Sequence, residues 1–168
     1  MVILGIDPGT ERSAYVIWDG QNIHEKDWIP NHRLIDMIHN GFPGVEHVVI
    51  EMVEARGMPI GKETIDTIVW IGRFYEAVIG SFLPVKLVYR RDIKVHLCGS
   101  ARAKPGNLSR VLKDRFGEPY TYEIVGQFGK KGQAVKAKRV RVPGTLDGMN
   151  DHTWAALEVA VYFSDTQK

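Results

Sequence analysis

The chain has 168 residues, of which 44% are hydrophobic and 25% charged. That is an ordinary globular composition and size for one domain, and the single cysteine, Cys98, excludes an intramolecular disulfide. No apolar run approaches the ~18 residues of a membrane span, and Asp7 interrupts the apolar start too early for a signal peptide. A soluble, cytoplasmic protein is expected. A net charge of +2 names no partner by itself.

Residues 2–6 read as a strand that Pro8-Gly9 stops directly after Asp7. Residues 13–18 are rich in β-branched and aromatic side chains. Asp19-Gly20 then signals a hairpin, because a type I′ turn requires positive φ. Residues 21–29 should return antiparallel, with Ile23 and Trp28 among the apolar positions. Pro30 opens a short helix that Asn40-Gly41 ends. Val48-Val49-Ile50 is a continuous apolar run, as in a strand buried on both faces, and it delivers Glu51.

Residues 62–82 predict a long helix with two apolar stripes. One contains Ile65, Ile68, Val69, Gly72, Tyr75 and Ile79; the other contains Trp70, Ile71, Phe74 and Val78. One stripe suffices to cover a sheet, so the second suggests a partner. Residues 85–89 form a fifth strand, and helices follow at 93–97 and 107–116. A Gly-rich basic stretch, 118–149, leads to a last helix over 150–163. Its length marks it as a functional loop. From Ile124 to Leu146 there is no acid, and Lys130, Lys131, Lys136, Lys138, Arg139 and Arg141 supply six cations, which favours a polyanionic partner.

This order predicts an α/β fold of the RNase H-like kind in a single domain, 1–168. Its five-stranded mixed sheet has three antiparallel strands, two parallel ones and helices on both faces. The first and fourth strands would then be parallel neighbours, bringing Asp7 and Glu51 to one crevice at their C-terminal ends. Two carboxylates forced together repel unless protonated or bridged. Mg²⁺, a hard ion that takes oxygen ligands and keeps waters, is the natural bridge. A pair of ions would suit an in-line displacement at phosphorus. Asp151 is the favoured third ligand, with His152 beside it as proton carrier or ligand. Asp147 and Glu54 are possible additional acids, and Glu158 has no assigned role.

These segments together resemble the RuvC family of Holliday-junction resolvases. The resemblance rests on Gly5-Ile6-Asp7-Pro8-Gly9-Thr10 after the opening strand and on Val49-Ile50-Glu51. Its phage-encoded branch is suggested by Gly57-Met58-Pro59-Ile60-Gly61-Lys62-Glu63-Thr64, Trp70-Ile71-Gly72-Arg73-Phe74, His96-Leu97-Cys98-Gly99-Ser100, Asn107-Leu108-Ser109-Arg110, Asp114-Arg115-Phe116-Gly117 and His152-Thr153-Trp154-Ala155-Ala156-Leu157. The resemblance implies a homodimer that uses Mg²⁺, or Mn²⁺ in its place, to nick opposed strands of a four-way junction. It also implies a bacterial or phage-infected host cytoplasm, no membrane and no nucleotide cofactor. Asp7 and Glu51 match two metal-binding acids of the family. A further acid of the family's last helix is replaced here by Ala155. That leaves Asp151, Asp147 or His152 to compensate, or a chain that cuts poorly. A non-catalytic branched-DNA-binding protein and a nuclease for RNA or flaps are the alternatives. Lys104 joins the six cations as a candidate DNA contact. Trp70, Gly72, Phe74 and Gly80 on the long helix are the expected dimer interface, since a two-fold assembly matches a two-fold junction.

Overall fold

The computed structural model describes residues 1–54, 57, 59–125 and 138–167, with Lys138 described by its backbone only. The elements are β1 (Ile3–Asp7), β2 (Arg12–Trp18), β3 (Ile23–Pro30), α1 (Asn31–Asn40), β4 (His47–Met52), α2 (Lys62–Gly80), β5 (Val85–Tyr89), α3 (Arg90–Cys98), α4 (Pro105–Phe116), β6 (Tyr120–Val125), β7 (Lys138–Pro143) and α5 (Asp151–Thr166). The main sheet has the order β3-β2-β1-β4-β5. β1, β2 and β3 pair antiparallel, whereas β1, β4 and β5 pair parallel. This is the mixed five-stranded sheet read from the sequence.

Alternation along the strands divides the core in two. Ile3, Val16, Trp18, Val49 and Val88 face α3, α4 and α5, meeting Ile93, Leu108, Leu112 and Ala160. Leu4, Ile6, Tyr15, Val48 and Ile50 face α1 and α2, meeting Leu34, Ile38, Ile71, Phe74 and Val78. Helices cover both faces. Val48-Val49-Ile50 is buried throughout, as its lack of alternation predicts.

Gly5 decides how closely α5 approaches β1. A Cβ at this position would lie 2.4 Å from the Ala156 carbonyl oxygen and 3.1 Å from Ala160 Cβ. Only a residue without a side chain lets the helix lie this deep over the central strand.

Three details depart from the sequence reading. The β2–β3 connection has four residues rather than two, with Trp18 paired to Ile23 after a register shift. Asp19 accepts hydrogen bonds from the Gln21 and Asn22 amides, and Gly20 takes φ +106°. The Asp side chain supplies the turn; a type I′ pair would need positive φ at both central residues. α3 begins at Arg90 directly after β5, three residues earlier than predicted. Finally, the stretch expected as a loop carries β6 and β7, paired antiparallel as a ribbon separate from the main sheet. Among the described residues no helix is long and apolar enough to cross a membrane.

Candidate active site

Asp7 and Glu51 emerge from adjacent parallel strands. Gly5 pairs with Val49 and Ile6 with Ile50, so the two acids follow at the C-terminal ends. Alternation puts them on the face of Gly5 and Val49, which α5 covers. The turn after Asp7 is braced by a buried polar network. The Gly9 amide donates to Ser13 Oγ (3.1 Å), Ser13 Oγ donates to Asn31 Oδ1 (2.6 Å), and Asn31 Nδ2 donates to the Gly9 carbonyl (2.9 Å). Ser13 and Asn31 are fully buried, so this network is satisfied internally and rigid.

Beneath the pair lies Glu158, seven residues into α5 and 1% exposed. Arg90, the first residue of α3, joins the acids. Its Nη1 is 3.1 Å from Glu51 Oε2 and 2.7 Å from Glu158 Oε2. The second contact is an ion pair without hydrogen-bond direction, since Glu158 Oε2 has no directed donor. Asp7, Glu51, Glu54, Thr67 and Arg90 line one crevice of about 260 Å³.

Charge is out of balance here. Burial, opposed by Arg90 and reinforced by Glu158, pushes the Asp7 carboxyl up to about 6. Burial likewise raises Glu51 to about 7, again opposed by Arg90, with Asp7 adding repulsion. Glu158 rises to about 7 for the same reasons, with Glu51 as its repelling neighbour. Arg90, with a smaller contribution from Lys94 at Glu51 and Glu158, only partly offsets three desolvated acids, so further positive charge would be bound favourably. The donors are hard oxygens, the set that Mg²⁺ or Mn²⁺ takes. Asp7 and Glu51 fit such an ion as a pair. Among the described residues no group of three His, Cys, Asp or Glu side chains converges tightly enough to hold a metal, because Arg90 stands between Glu51 and Glu158.

On the opposite rim His152 Nδ1 lies 3.9 Å from Asp7 Oδ2. The imidazole is stacked on Trp28, with ring centroids 4.8 Å apart and planes 6° from parallel. Arg12 also lies over the indole, its guanidinium carbon 4.3 Å from the ring centre, and donates to the Trp28 carbonyl. Three elements, β2, β3 and α5, thus orient one histidine toward one carboxylate.

Two solved structures of Thermus thermophilus RuvC, one in complex with Holliday junction substrate, match this architecture over 99% of the chain. Each has a TM-score of 0.65 and 15% sequence identity, and the match covers 94% and 97% of those chains, respectively. The chain has the RuvC fold. Neither a protein-family model nor a curated protein sequence matches it.

On this RuvC fold the other candidate residues are placed as follows. Asp151 is exposed in the first turn of α5, two turns above Glu158. Asp147 does not join the acids: Arg141 holds its carboxylate, with Nη1 at 3.2 Å. Asn150, not Asp151, caps α5, accepting hydrogen bonds from the His152 and Thr153 amides. Lys104 is exposed at the start of α4. Arg139 and Arg141 lie on β7, whereas Lys130, Lys131 and Lys136 fall outside the described residues, as does the Lys138 side chain.

On α2, Gly72 and Gly80 are exposed but Phe74 is fully buried in the chain's own core. This corrects the interface assignment of Phe74. Trp70 is half buried, contacting His32, Phe74 and Arg73 within the chain. The stripe containing them faces the sheet, and it is the other stripe that is open. Arg90, Glu158 and the placement of Trp28 were missed. A glutamate inside Trp-Ala-Ala-Leu-Glu-Val-Ala-Val was the available signal, since a charge amid apolar residues is rarely buried without a task.

Proposed function

We infer that this chain is a structure-selective endodeoxyribonuclease, dependent on a divalent metal, that hydrolyses the backbone of branched DNA such as four-way junctions. The observation that carries this reading is the pairing of Asp7 and Glu51 at the ends of β1 and β4, with Glu158 of α5 buried beneath them and Arg90 set between the two glutamates. The RuvC fold supports it. Asp7 and Glu51 would hold Mg²⁺ or Mn²⁺, with Glu158 as the third acid beneath them and Asp151 at the mouth. The metal, when bound, supplies an acidified water and offsets charge on the scissile phosphate. His152, 3.9 Å from Asp7 Oδ2, would hold or pass a proton there, with its ring stacked on Trp28. Arg90 keeps Glu51 and Glu158 together in the folded chain by partly neutralising them.

Paired incision requires two crevices, and a homodimer would provide them. Its interface is assigned to the open stripe of α2, where Ile65, Val69 and Ile79 are 52%, 56% and 46% exposed. A groove of about 550 Å³ between α1 and α2, floored by Gly72 and Gly80, permits close approach. A second reading, a branched-DNA binder without turnover, has one observation behind it: Arg90 permanently supplies some of the charge that a metal would bring.

The two readings part on a synthetic four-way junction, tested beside three-way, flap, linear and RNA–DNA substrates with and without Mg²⁺. Cleavage that needs the metal and is lost in Asp7→Asn and Glu51→Gln, with junction binding kept, is the expected result. Mn²⁺ should also raise the melting temperature of the wild type but not of these variants. Undiminished cutting by either variant would overturn the site.

A further inference from the structure

The ribbon of β6 and β7 projects two dissimilar faces. Tyr120 pairs with Pro143, Tyr122 with Arg141 and Ile124 with Arg139, so alternation collects Tyr120, Tyr122, Ile124, Arg139 and Arg141 on one side. Thr121, Glu123, Val125, Val140 and Val142 fall on the other. The strands' single acid, Glu123, is therefore turned away from the tyrosines. The rings and guanidiniums interleave diagonally: Arg139 lies 4.7 Å from the Tyr122 ring centre and Arg141 4.4 Å from that of Tyr120. The two tyrosines meet edge to face at 5.6 Å. Tyr120, Tyr122 and Ile124 are 42%, 51% and 72% exposed.

An isolated two-stranded ribbon is at best marginally stable in water, and this one leaves its aromatic side uncovered. Its charge selects the occupant. Planar cations alternating with open aromatic faces suit a strand that offers phosphates and unstacked bases together. A duplex presents the phosphates but keeps its bases stacked inside.

The ribbon is also tied close to the acids. Gly144 donates to the Pro119 carbonyl at 2.7 Å across its base, and Arg141 clasps Asp147 on the way to α5. The nine residue-to-residue steps from Pro143 to His152 span at most about 32 Å, less than one duplex turn of about 34 Å. We propose that the Tyr120–Tyr122–Arg139–Arg141 face of this ribbon binds the unpaired bases at a DNA branch while the backbone lies in the crevice of Asp7 and Glu51. This rests on the reading of the chain as a branched-DNA nuclease and assigns that activity its sensor for strand opening.

The test measures fluorescence anisotropy of the full chain in EDTA with three labelled probes: a four-way junction, oligothymidylate and a linear duplex. Base–aromatic stacking predicts that Tyr120→Ala/Tyr122→Ala weakens junction and oligothymidylate binding by roughly tenfold to a hundredfold, with little change on duplex. Tyr120→Phe/Tyr122→Phe, which keeps the rings, should bind like wild type and shows that any loss is not misfolding. Arg139→Lys should weaken both branched and single-stranded probes while leaving the salt slope unchanged, because charge is kept and the plane is lost. Wild-type affinity in the double-alanine variant overturns the proposal. So does a variant that sediments as a monomer with DNA affinity intact, which would make this face a contact between copies. Cleavage by the wild type with Mg²⁺ is scored separately. Cutting without ribbon-dependent binding removes the ribbon and keeps the nuclease, whereas ribbon-dependent binding without cutting does the reverse.

Discussion

Two helices of the chain are apolar around most of their circumference, and the structure uses them in opposite ways. α5 is enclosed: Thr153, the run from Ala156 to Val161, and Phe163 are all buried, because β1 and β2 lie on one side and α3 and α4 on the other. α2 is half open: only Ile71, Phe74, Ala77 and Val78 are buried, and its Ile65, Val69 and Ile79 face outward. An apolar circumference therefore marks either a buried layer or a surface awaiting a partner. What separates the two is the odd residue in each. α5 buries a glutamate, which only a neighbouring cation makes tolerable. α2 exposes glycines at the stripe where another backbone could approach.

The largest effect should come from Glu158. Glu158→Gln is expected to lower metal-dependent cleavage by at least about 100-fold, the scale of losing one preorganised charge contact. At pH 8 it should melt no lower than wild type, since an amide removes excess buried negative charge. Asp151→Asn, by comparison, should retain more activity. A reversed order of these two variants in single-turnover cleavage would return the third ligand to the mouth of the crevice and leave Glu158 as a counterion for Arg90.

Next comes the seat of α5 itself. Gly5→Ala sets a methyl 2.4 Å from the Ala156 carbonyl, and backbone cannot swing aside as a side chain can. A loss of about 3 kcal/mol is expected, or roughly 6–12 °C in Tm for a chain of this size. The same substitution at Gly72 meets nothing within 4 Å and should raise stability slightly through better helix propensity. Equal melting temperatures for the two alanine variants would show that α5 does not rest on β1 as described.

A smaller effect follows from the raised carboxyls. Their folded-state values, about 6 for Asp7 and about 7 for Glu51 and Glu158, exceed the ordinary 3.8 and 4.5. Between those limits the folded chain keeps protons that the unfolded chain has lost, so stability falls as pH rises. It is fully present below about pH 4 and is lost as pH rises through the folded-state values near 6 and 7. Asp19 and Asp165, held near 2, act in the opposite sense but only below about pH 4. Melts in EDTA from pH 4.5 to 8 should decline, and Mn²⁺ should recover the loss at pH 8. A flat profile would mean that the acids are already neutralised.

The fold was legible because its signals are local and repeated. Val48-Val49-Ile50 could only be a doubly buried strand, and Pro8-Gly9 could only end one. Asp7 and Glu51 were legible for the same reason, since parallel neighbours must deliver their C-terminal residues together. Arg90 and Glu158 were not. Their meeting depends on how far α5 sinks over Gly5 and on α3 starting at Tyr89-Arg90 rather than at Ile93, and both are tertiary packing facts. The ribbon was hidden differently: Tyr120–Val125 and Lys138–Pro143 alternate well enough for strands, but their basic, Gly-rich surroundings read as a loop. Phe74 shows a third limit, because two apolar stripes on one helix do not say which of them faces the sheet.

That last ambiguity yields the smallest effect on stability and the sharpest one on assembly. Val69 lies on the open stripe at 56% exposure, one turn from Arg73 and beside the groove that Gly72 floors. Val69→Asp puts a charge where the chain itself makes no use of the side chain, so the monomer's stability should change by less than about 0.5 kcal/mol. If a second copy covers this stripe, the same charge is buried without a partner and the dimer should dissociate at concentrations where wild type stays paired. Sedimentation of both proteins reads this directly, with unchanged Asp7 and Glu51 crevices in each. Nicks in a junction would then become uncoupled, one strand at a time, although each monomer keeps its acids. A variant that remains dimeric and makes paired nicks would show that the open face of α2 serves some other contact, and the distinction drawn between α2 and α5 would reduce to which helix α3 and α4 happen to cover.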